Sequence, residues 1–471
     1  MIVDRSLQRV TLFLVSLAAF LIPFMGSSLS LALPVIQKEM AVNVIILGWI
    51  PTSFTLANAV TVLPFGRLSD IHGRKRIFSY GVLIYTISSL FAAFSNSGEI
   101  LVAFSFLQGL GCAMIFATMV ALLSSVFPME RRGEALGLYI SAVYIGLFLG
   151  PILGGVLIQY LGWRSIYLFN IPIGIILLST LIWKLKMEWA EARGEGFDYR
   201  GAVIYSLSLV ALLYGFSSLL EDLGKVALGI GFLGIVCFFL LESRTDTPIL
   251  KLEIFKNRRT SFTALSMLSM NIAISATATL LSLYFQSLRG LEPQYTALIL
   301  SSQPFMVAVL SPIVGRASDQ GEHRWLPVWG MILITVGLLM LVFLDQETSL
   351  VIPVVALLLV GVGQALFSSP TTRIFMGSVE SKIYGMASST LSTMIYMGQT
   401  LSLAMMLLIF AIYLGQVEIN SSNHLAFLDS QEIAYLLFAF ISSLGVLFSF
   451  LVGGSSAGAG IKKLVQKKEK G

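Results

Sequence analysis

Gly66-Arg67-Leu68-Ser69-Asp70 closes one long apolar stretch, and Gly315-Arg316-Ala317-Ser318-Asp319 closes another far downstream. The echo widens on either side. Gly109-Leu110-Gly111 returns as Gly361-Val362-Gly363, Gly133-Glu134-Ala135 as Gly385-Met386-Ala387, and Tyr144-Ile145-Gly146 as Tyr396-Met397-Gly398, each 252 positions on. Such spacing implies one bundle written twice. In a membrane chain, the seam between two copies is a place to hold a solute and to expose it to either side by rocking.

Composition says that the chain is a membrane chain. Of 471 residues, 56% are hydrophobic and only 12% charged. Soluble domains carry roughly 25% charged residues, so the usual water-facing surface is missing. A lipid-facing surface is expected instead. The net charge of +5 then reports topology rather than nucleic-acid binding. Cys112 and Cys237 lie in apolar stretches and His72, His323 and His424 are scattered. No disulfide framework and no metal site is expected, and no cofactor. No Gly-x-x-x-x-Gly-Lys loop occurs, so no nucleotide partner is expected.

A helix needs about 20 apolar residues to cross the hydrocarbon. Fourteen such spans are predicted, approximately 10–33, 44–65, 77–95, 100–126, 135–160, 165–184, 200–219, 226–241, 261–287, 295–315, 325–344, 350–369, 384–413 and 432–454. The first is too long for a signal-peptide core of ~7–15 residues and is read as a retained span. With the N-terminus inside, 26 of the 30 Lys and Arg fall on inner segments, leaving Lys38, Arg164, Lys225 and Arg289 outside. A wrong helix count would invert every later loop, so both termini are expected to be cytoplasmic, in the cell membrane. The tail Lys462, Lys463, Lys467, Lys468 and Lys470 is a solvated tail or a contact for anionic lipid.

The 252-residue offset maps span 2 to span 10, 4 to 12 and 5 to 13. The expected fold is therefore an all-α polytopic membrane protein with two pseudo-symmetric six-helix bundles, 1–187 and 257–471, and a two-helix insert, 188–256, between them. An even insert leaves both bundles facing the same way.

Three groups of residues carry the functional reading. The first is the segment after span 2, Gly66, Arg67, Asp70, Gly73 and Arg74. Its glycines permit close approach and a left-handed turn. Asp70 is placed to bond a helix N-terminus or Arg131 of the next inner segment, a contact that latches one conformation; a purely topogenic basic loop is the alternative. The second is span 5. Gly146, Gly150 and Gly154 share one helical face, Gly155 adjoins it, and Pro151 permits a bend. A plain packing groove is the alternative. The third is a neutral polar set at membrane depth: Asn58, Gln108, Asn271, Gln303, Gln364 and Gln399, with Tyr144 and Tyr396 at repeat-equivalent positions. These are candidates for a cavity, or else interhelical glue.

The 66–76 segment resembles the signature of the major facilitator superfamily between its second and third helices. Gly146-Leu147-Phe148-Leu149-Gly150-Pro151-Ile152-Leu153-Gly154-Gly155 is similar to the antiporter signature of that superfamily. Gly162-Trp163-Arg164-Ser165-Ile166-Tyr167-Leu168-Phe169-Asn170-Ile171-Pro172-Ile173-Gly174 resembles the start of helix six in the fourteen-helix drug:proton antiporter branch. Two positions depart from that branch. Met25 stands where relatives place an acid upstream of Ala32-Leu33-Pro34, and Ser105 stands where they place an arginine before Gln108-Gly109. The usual proton-coupling positions therefore do not carry over.

The resemblance implies a secondary transporter, not an enzyme, that exports a small organic or amphipathic solute by alternating access with proton antiport. The absence of any charged residue in the middle third of a span weakens the proton expectation and favours a neutral, zwitterionic or amphipathic solute. An uncoupled facilitator, and a non-transporting membrane sensor on the same scaffold, are the alternatives.

Overall fold

The computed structural model describes residues 5–190, 192–245, 248–250, 255, 257–319, 325–377, 384–415 and 423–468; within these, the side chains of 129–134, 136, 137, 217, 312, 316–319, 376, 377, 384–388 and 453–468 lie outside the description. Among the described residues all regular structure is helical. The first six helices are α1 (Arg5–Met40), α2 (Val44–His72), α3 (Arg74–Ala93), α4 (Gly98–Val126), α5 (Met129–Leu161) and α6 (Arg164–Lys184). The insert is α7 (Tyr199–Ser217) and α8 (Asp222–Glu242). α9 runs in three pieces, Arg258–Ile274, Thr277–Leu283 and a π-helical turn Tyr284–Leu288. α10 runs in two, Pro293–Leu300 and Ser302–Asp319. The last four are α11 (Leu326–Val342), α12 (Val351–Gly377), α13 (Tyr384–Tyr413) and α14 (His424–Lys468).

Thirteen of these spans are long and apolar enough to cross a bilayer. α11, with 17 residues, sits at the short end of what spans the hydrocarbon. The chain is thus a multi-pass membrane protein. The helices start where polar side chains cap them. Asn43 accepts the Ile46 amide at 2.8 Å, Ser97 the Ile100 amide at 3.4 Å and Asn257 the Arg259 amide at 3.0 Å, each satisfying an amide that the first turn leaves free.

Packing repeats with a shift of eight helices. α1 lies on α5 and α6, α2 on α4, and α3 on α4 and α6; likewise α9 lies on α13 and α14, α10 on α12, and α11 on α12 and α14. The bundles meet through two related pairs, α2 with α13 and α5 with α10, and α1 also touches α9. α7 covers the first pair, touching both α2 and α13, and α8 packs on α7 with Leu223, Val226, Ile230, Phe232 and Leu233 exposed as a lipid-facing side.

One boundary differs from the sequence expectation. α2 does not finish near Phe65 but continues through Gly66–Asp70 to His72, and the chain reverses at Gly73, where φ is +116°. Gly66 is therefore a packing residue inside a helix: a Cβ there would stand 3.0 Å from Ser389 Oγ on α13. Gly73 is the glycine that the turn demands.

Candidate functional site: the seam between the bundles

The end of the molecule at which α2 finishes is called the near end here, and the opposite one the far end. α2 and α13 run antiparallel in contact from far to near. At the far end a Cβ on Gly48 would strike Leu407 Cδ2 at 2.4 Å, and Gly66 meets Ser389 at the near end. The α5–α10 seam is its partner. Gly155 faces Ala297, Pro293 and Gln294 toward the far end, with a Cβ position 2.7 Å from Ala297 Cβ. Phe148 and Phe305 pack next, ring centroids 5.7 Å apart, and Tyr144 faces Ser311 below them. At the far end Gln286 Nε2 also donates to Leu31 O of α1 at 3.0 Å.

Between the seams the lining is aromatic. Tyr396 sits with Ala59, Val62 and Ala113, its ring edge-on to Phe116 at 5.6 Å. Tyr139 lies within electrostatic reach of both Tyr144 and Tyr396. Tyr139, Tyr144 and Phe148 keep partial exposure in mid-seam, so a solute would meet phenol edges and ring faces. Such a surface binds by shape, stacking and hydroxyl hydrogen bonds. Gln399, one turn beyond Tyr396, is half-buried and makes no hydrogen bond among the described residues.

The other polar candidates lie within single bundles. Gln108 is buried and donates to Ser89 Oγ of α3 at 2.7 Å, where Asn170 of α6 also donates at 3.4 Å. Gln303 and Gln364 bond each other at 3.1 Å across α10 and α12. Asn58 donates to Phe54 O of its own helix, and Asn271 to Met267 O. The structure thus brings Tyr144 and Tyr396 to the seam, sets Gln399 one turn along α13 from Tyr396, and places the remaining five inside the bundles.

The span 5 glycines split in the same way. Gly146, Gly150 and Gly154 face α1, where their Cβ positions would lie 2.3 Å from Phe20 O, 1.9 Å from Ser27 Oγ and 2.4 Å from Ser28 Oγ. Gly155 alone among the four faces the other bundle. The close approach of α1 lets Ser28 Oγ donate to Gly150 O at 2.8 Å. Pro151 follows directly and has no amide to offer its own helix.

At the near end, Asp70 is paired with Arg74 of the same segment, Nη2 to Oδ1 at 2.8 Å and Nε to Oδ1 at 3.0 Å. Arg74 continues to Ser125 Oγ of α4 at 2.6 Å, so one guanidinium ties α2, α3 and α4. The Arg131 side chain lies outside the described residues. The chain between α6 and α7 straps the same corner. Glu188 Oε1 accepts the Lys75 amide at 2.9 Å and so caps α3, Trp189 O accepts the Arg74 amide at 2.8 Å, and the Ala192 amide donates to Asp70 O at 3.0 Å. Arg67 pairs with Glu195 at 2.6 Å.

Sequence reading missed Phe116, Tyr139, Phe148 and Phe305. Tyr144 and Phe148 are four apart and share a helical face, a signal that was available. It also missed the joint made by α7. Pro64 has no amide for Val60 O, four residues earlier, and Ser206 Oγ supplies the missing donor at 2.8 Å while Tyr205 Oη donates to Ala59 O at 3.0 Å.

The major facilitator superfamily profile matches residues 15–403. The chain belongs to this superfamily. It is 26% identical over 443 residues to the riboflavin transporter RibZ of Clostridioides difficile (strain 630), covering 93% of this chain and 96% of that protein. It is 30% identical over 417 residues to the multidrug resistance protein Stp of Mycobacterium tuberculosis (strain CDC 1551 / Oshkosh), covering 87% and 77%. A crystal structure of a bacterial homologue of the human lysosomal transporter Spinster superposes with a TM-score of 0.65 at 15% identity, over 95% of this chain and 97% of that one. This superfamily member is therefore a transporter by family, and among its described residues no group of His, Cys, Asp and Glu gathers as metal ligands would.

Proposed function

We propose that this chain moves a small, partly aromatic organic solute across the cell membrane by alternating access, with the bundles 1–187 and 257–471 rocking about the two seams and the insert 188–256 riding on one of them. The observation that carries this is the aromatic lining, Tyr139, Tyr144, Phe148, Phe305 and Tyr396, placed where the symmetry-related pairs α2–α13 and α5–α10 meet. A site formed half by each bundle is opened to one side when they tilt one way and to the other when they tilt back.

The relatives named for riboflavin transport and for multidrug resistance support an organic solute of this kind, and the multidrug resistance name supports export. The positive-inside bias puts the near end and both termini in the cytoplasm. The lattice of Asp70, Arg74, Ser125 and the 185–198 strap then acts as the cytoplasmic latch, and Gly150-Pro151 as the bend in α5. Proton antiport is the coupling expected of an exporter with this resemblance; the seam itself offers neutral phenols and amides rather than an acid.

Reconstitution tests the reading. Protein in liposomes is loaded with a panel of flat aromatic and aliphatic solutes, and efflux is followed with and without a pH gradient. Saturable flux of at least one aromatic solute, lowered in Tyr144→Ala and Tyr396→Ala, is expected. Flux that responds to the gradient supports antiport, gradient-independent flux supports the facilitator, and specific binding without flux supports the sensor.

A further inference from the structure

The insert closes at its near end on two acidic side chains. Asp198 precedes α7 and its Oδ1 accepts the Gly201 amide at 2.8 Å. Glu242 ends α8, is 3% exposed, and its Oε1 accepts the Leu250 amide at 2.5 Å. Each carboxyl group thus spends one oxygen on a backbone donor. The other two oxygens both lie beside Gly201. The point where a Cβ on Gly201 would stand is 2.3 Å from Asp198 Oδ2 and 3.2 Å from Glu242 Oε2, so any side chain at 201 would strike them. Glu242 Oε2 has no hydrogen-bond partner.

Around this pair the walls are apolar. Ala202 and Tyr205 come from α7, Phe238 from α8, and Ile249 and Leu250 from the chain beyond it. Among the described residues the charged group that faces Glu242 is Asp198, and the Ile249 amide also reaches the Glu242 carboxyl. Arg200 on α7 and Arg244 beyond α8 are exposed and form no ion pair with either acid. α2, which packs on α7, adds Leu56, Val60 and Leu63 to the same apolar cluster and carries Arg67, paired with Glu195, at that end, and α13 adds Met397 and Leu401.

We propose that Asp198 and Glu242 bind one proton between them, with the Glu242 carboxyl donating from Oε2 to Asp198 Oδ2, and that this shared proton closes the foot of the insert. Two neighbouring carboxylates with no ion-pair partner among the described residues, one of them buried, cannot both stay ionised at small cost. One proton, taken from water, removes one charge and gives the unpartnered oxygen its hydrogen bond. A Ca²⁺ or Mg²⁺ ion is a poor occupant, because it takes about six or more oxygens and only two carboxyl oxygens lie beside Gly201. The site lies outside the seam, so the proposal stands apart from the transport reading. Its reach is toward the seam all the same, since α7 holds α2 through Tyr205 and Ser206 and also touches α13.

The test uses the full chain, purified in lipid nanodiscs without added divalent ions. Infrared spectra are recorded near neutral pH, and thermal unfolding is followed from about pH 5 to about pH 9, a range in which free carboxyls are already ionised. The folded chain holds a proton that the unfolded chain releases, so wild-type stability is expected to fall as pH rises through the titration of the pair. Glu242→Gln supplies a neutral donor at the same place. It is expected to lose the protonated-carboxyl band and to flatten the dependence of melting temperature on pH. Asp198→Asn, which keeps the cap on Gly201, is expected to flatten it too. Equal bands in wild type and Glu242→Gln, or an unchanged slope in both variants, would overturn the proposal. Failure of Glu242→Gln to fold would also count against it, because glutamine copies the neutral acid. So would a rise in wild-type melting temperature with added Na⁺, Ca²⁺ or Mg²⁺ that Glu242→Gln abolishes, since the occupant would then be a metal ion.

Discussion

In the first bundle α1 is one unbroken helix and α5 facing it carries Gly150-Pro151; in the second, α9 is broken at Ser275–Ala276 and α13 facing it carries Ser402-Leu403. The two contacts are repeat-equivalent, yet they are made by opposite means. At Gly150 the missing side chain lets backbones touch, with Phe24 O 2.9 Å from the Cβ position. At Ser402 a hydroxyl fills the gap and accepts the Ala276 amide at 3.0 Å, an amide within the interruption of α9. Irregular backbone at membrane depth persists only where something answers its polar groups. The first bundle keeps both helices continuous at this contact, with Pro151 in α5, and the second breaks α9. The comparison teaches that duplication preserved where helices cross but not how each crossing is made.

Breaking the first contact has the largest expected effect. Gly150→Leu pushes a branched side chain into α1 backbone, where overpacking costs about 1–3 kcal/mol or more. Loss of most folded protein in detergent is expected, measured by size-exclusion yield; normal yield with normal solute flux would make span 5 an ordinary groove. Asp70→Asn comes next. It keeps an oxygen for buried Arg74 to donate to but removes the negative charge that strengthens both bonds, a loss of part of the about 1.5–3 kcal/mol that a hydrogen bond to a charged group contributes. Lower thermal stability and slowed flux are expected, and unchanged flux at equal expression would deny the latch. Ser402→Ala tests the other half. It leaves the Ala276 amide unanswered at about 1–3 kcal/mol, and faster hydrogen exchange confined to the middle of α9 is the expected sign.

The far ends offer a further contrast, one that pH sharpens. In the first half Glu39 of α1 holds Trp163 and Arg164 at the start of α6, with the Arg164 guanidinium 4.4 Å over the Trp163 ring. In the second half Arg289 donates to Tyr284 Oη and to Thr348 O, while Tyr284 donates to Asp345 O. The Asp345 carboxylate is held below its ordinary range by the Thr348 hydroxyl and the Glu347 amide. Its contribution is complete above the unfolded value and lost as pH falls through the lower folded one, below about pH 4. Asp345→Asn is expected to remove a small part of the acid sensitivity of the melting temperature. Smallest of all is Glu195→Gln at the strap. The Arg67–Glu195 pair is largely water-exposed on the glutamate side, so a change of about 0–1 kcal/mol is expected by thermal melting.

Much of the fold was legible because lipid demands it. A helix of fixed length must satisfy its own backbone, so runs of apolar residues counted off the spans, and the repeat of Tyr144-Ile145-Gly146 as Tyr396-Met397-Gly398 marked equivalent helices before any packing was known. Those two tyrosines did reach the seam. Gln108, Gln303 and Gln364 were equally visible at membrane depth and went elsewhere. A polar side chain in an apolar run must find a partner, but composition does not say on which side of its helix the partner stands. That side is set by helix rotation, and rotation is decided by the close approaches at Gly66, Gly109, Gly146 and Gly398, each against a different neighbour. The sequence by itself therefore determined how many times this chain crosses and that it is built twice. Only the tertiary structure decided which faces meet, because a seam of aromatic rings and the placing of buried Glu242 beside Asp198 depend on the mutual orientation of helices far apart in the chain.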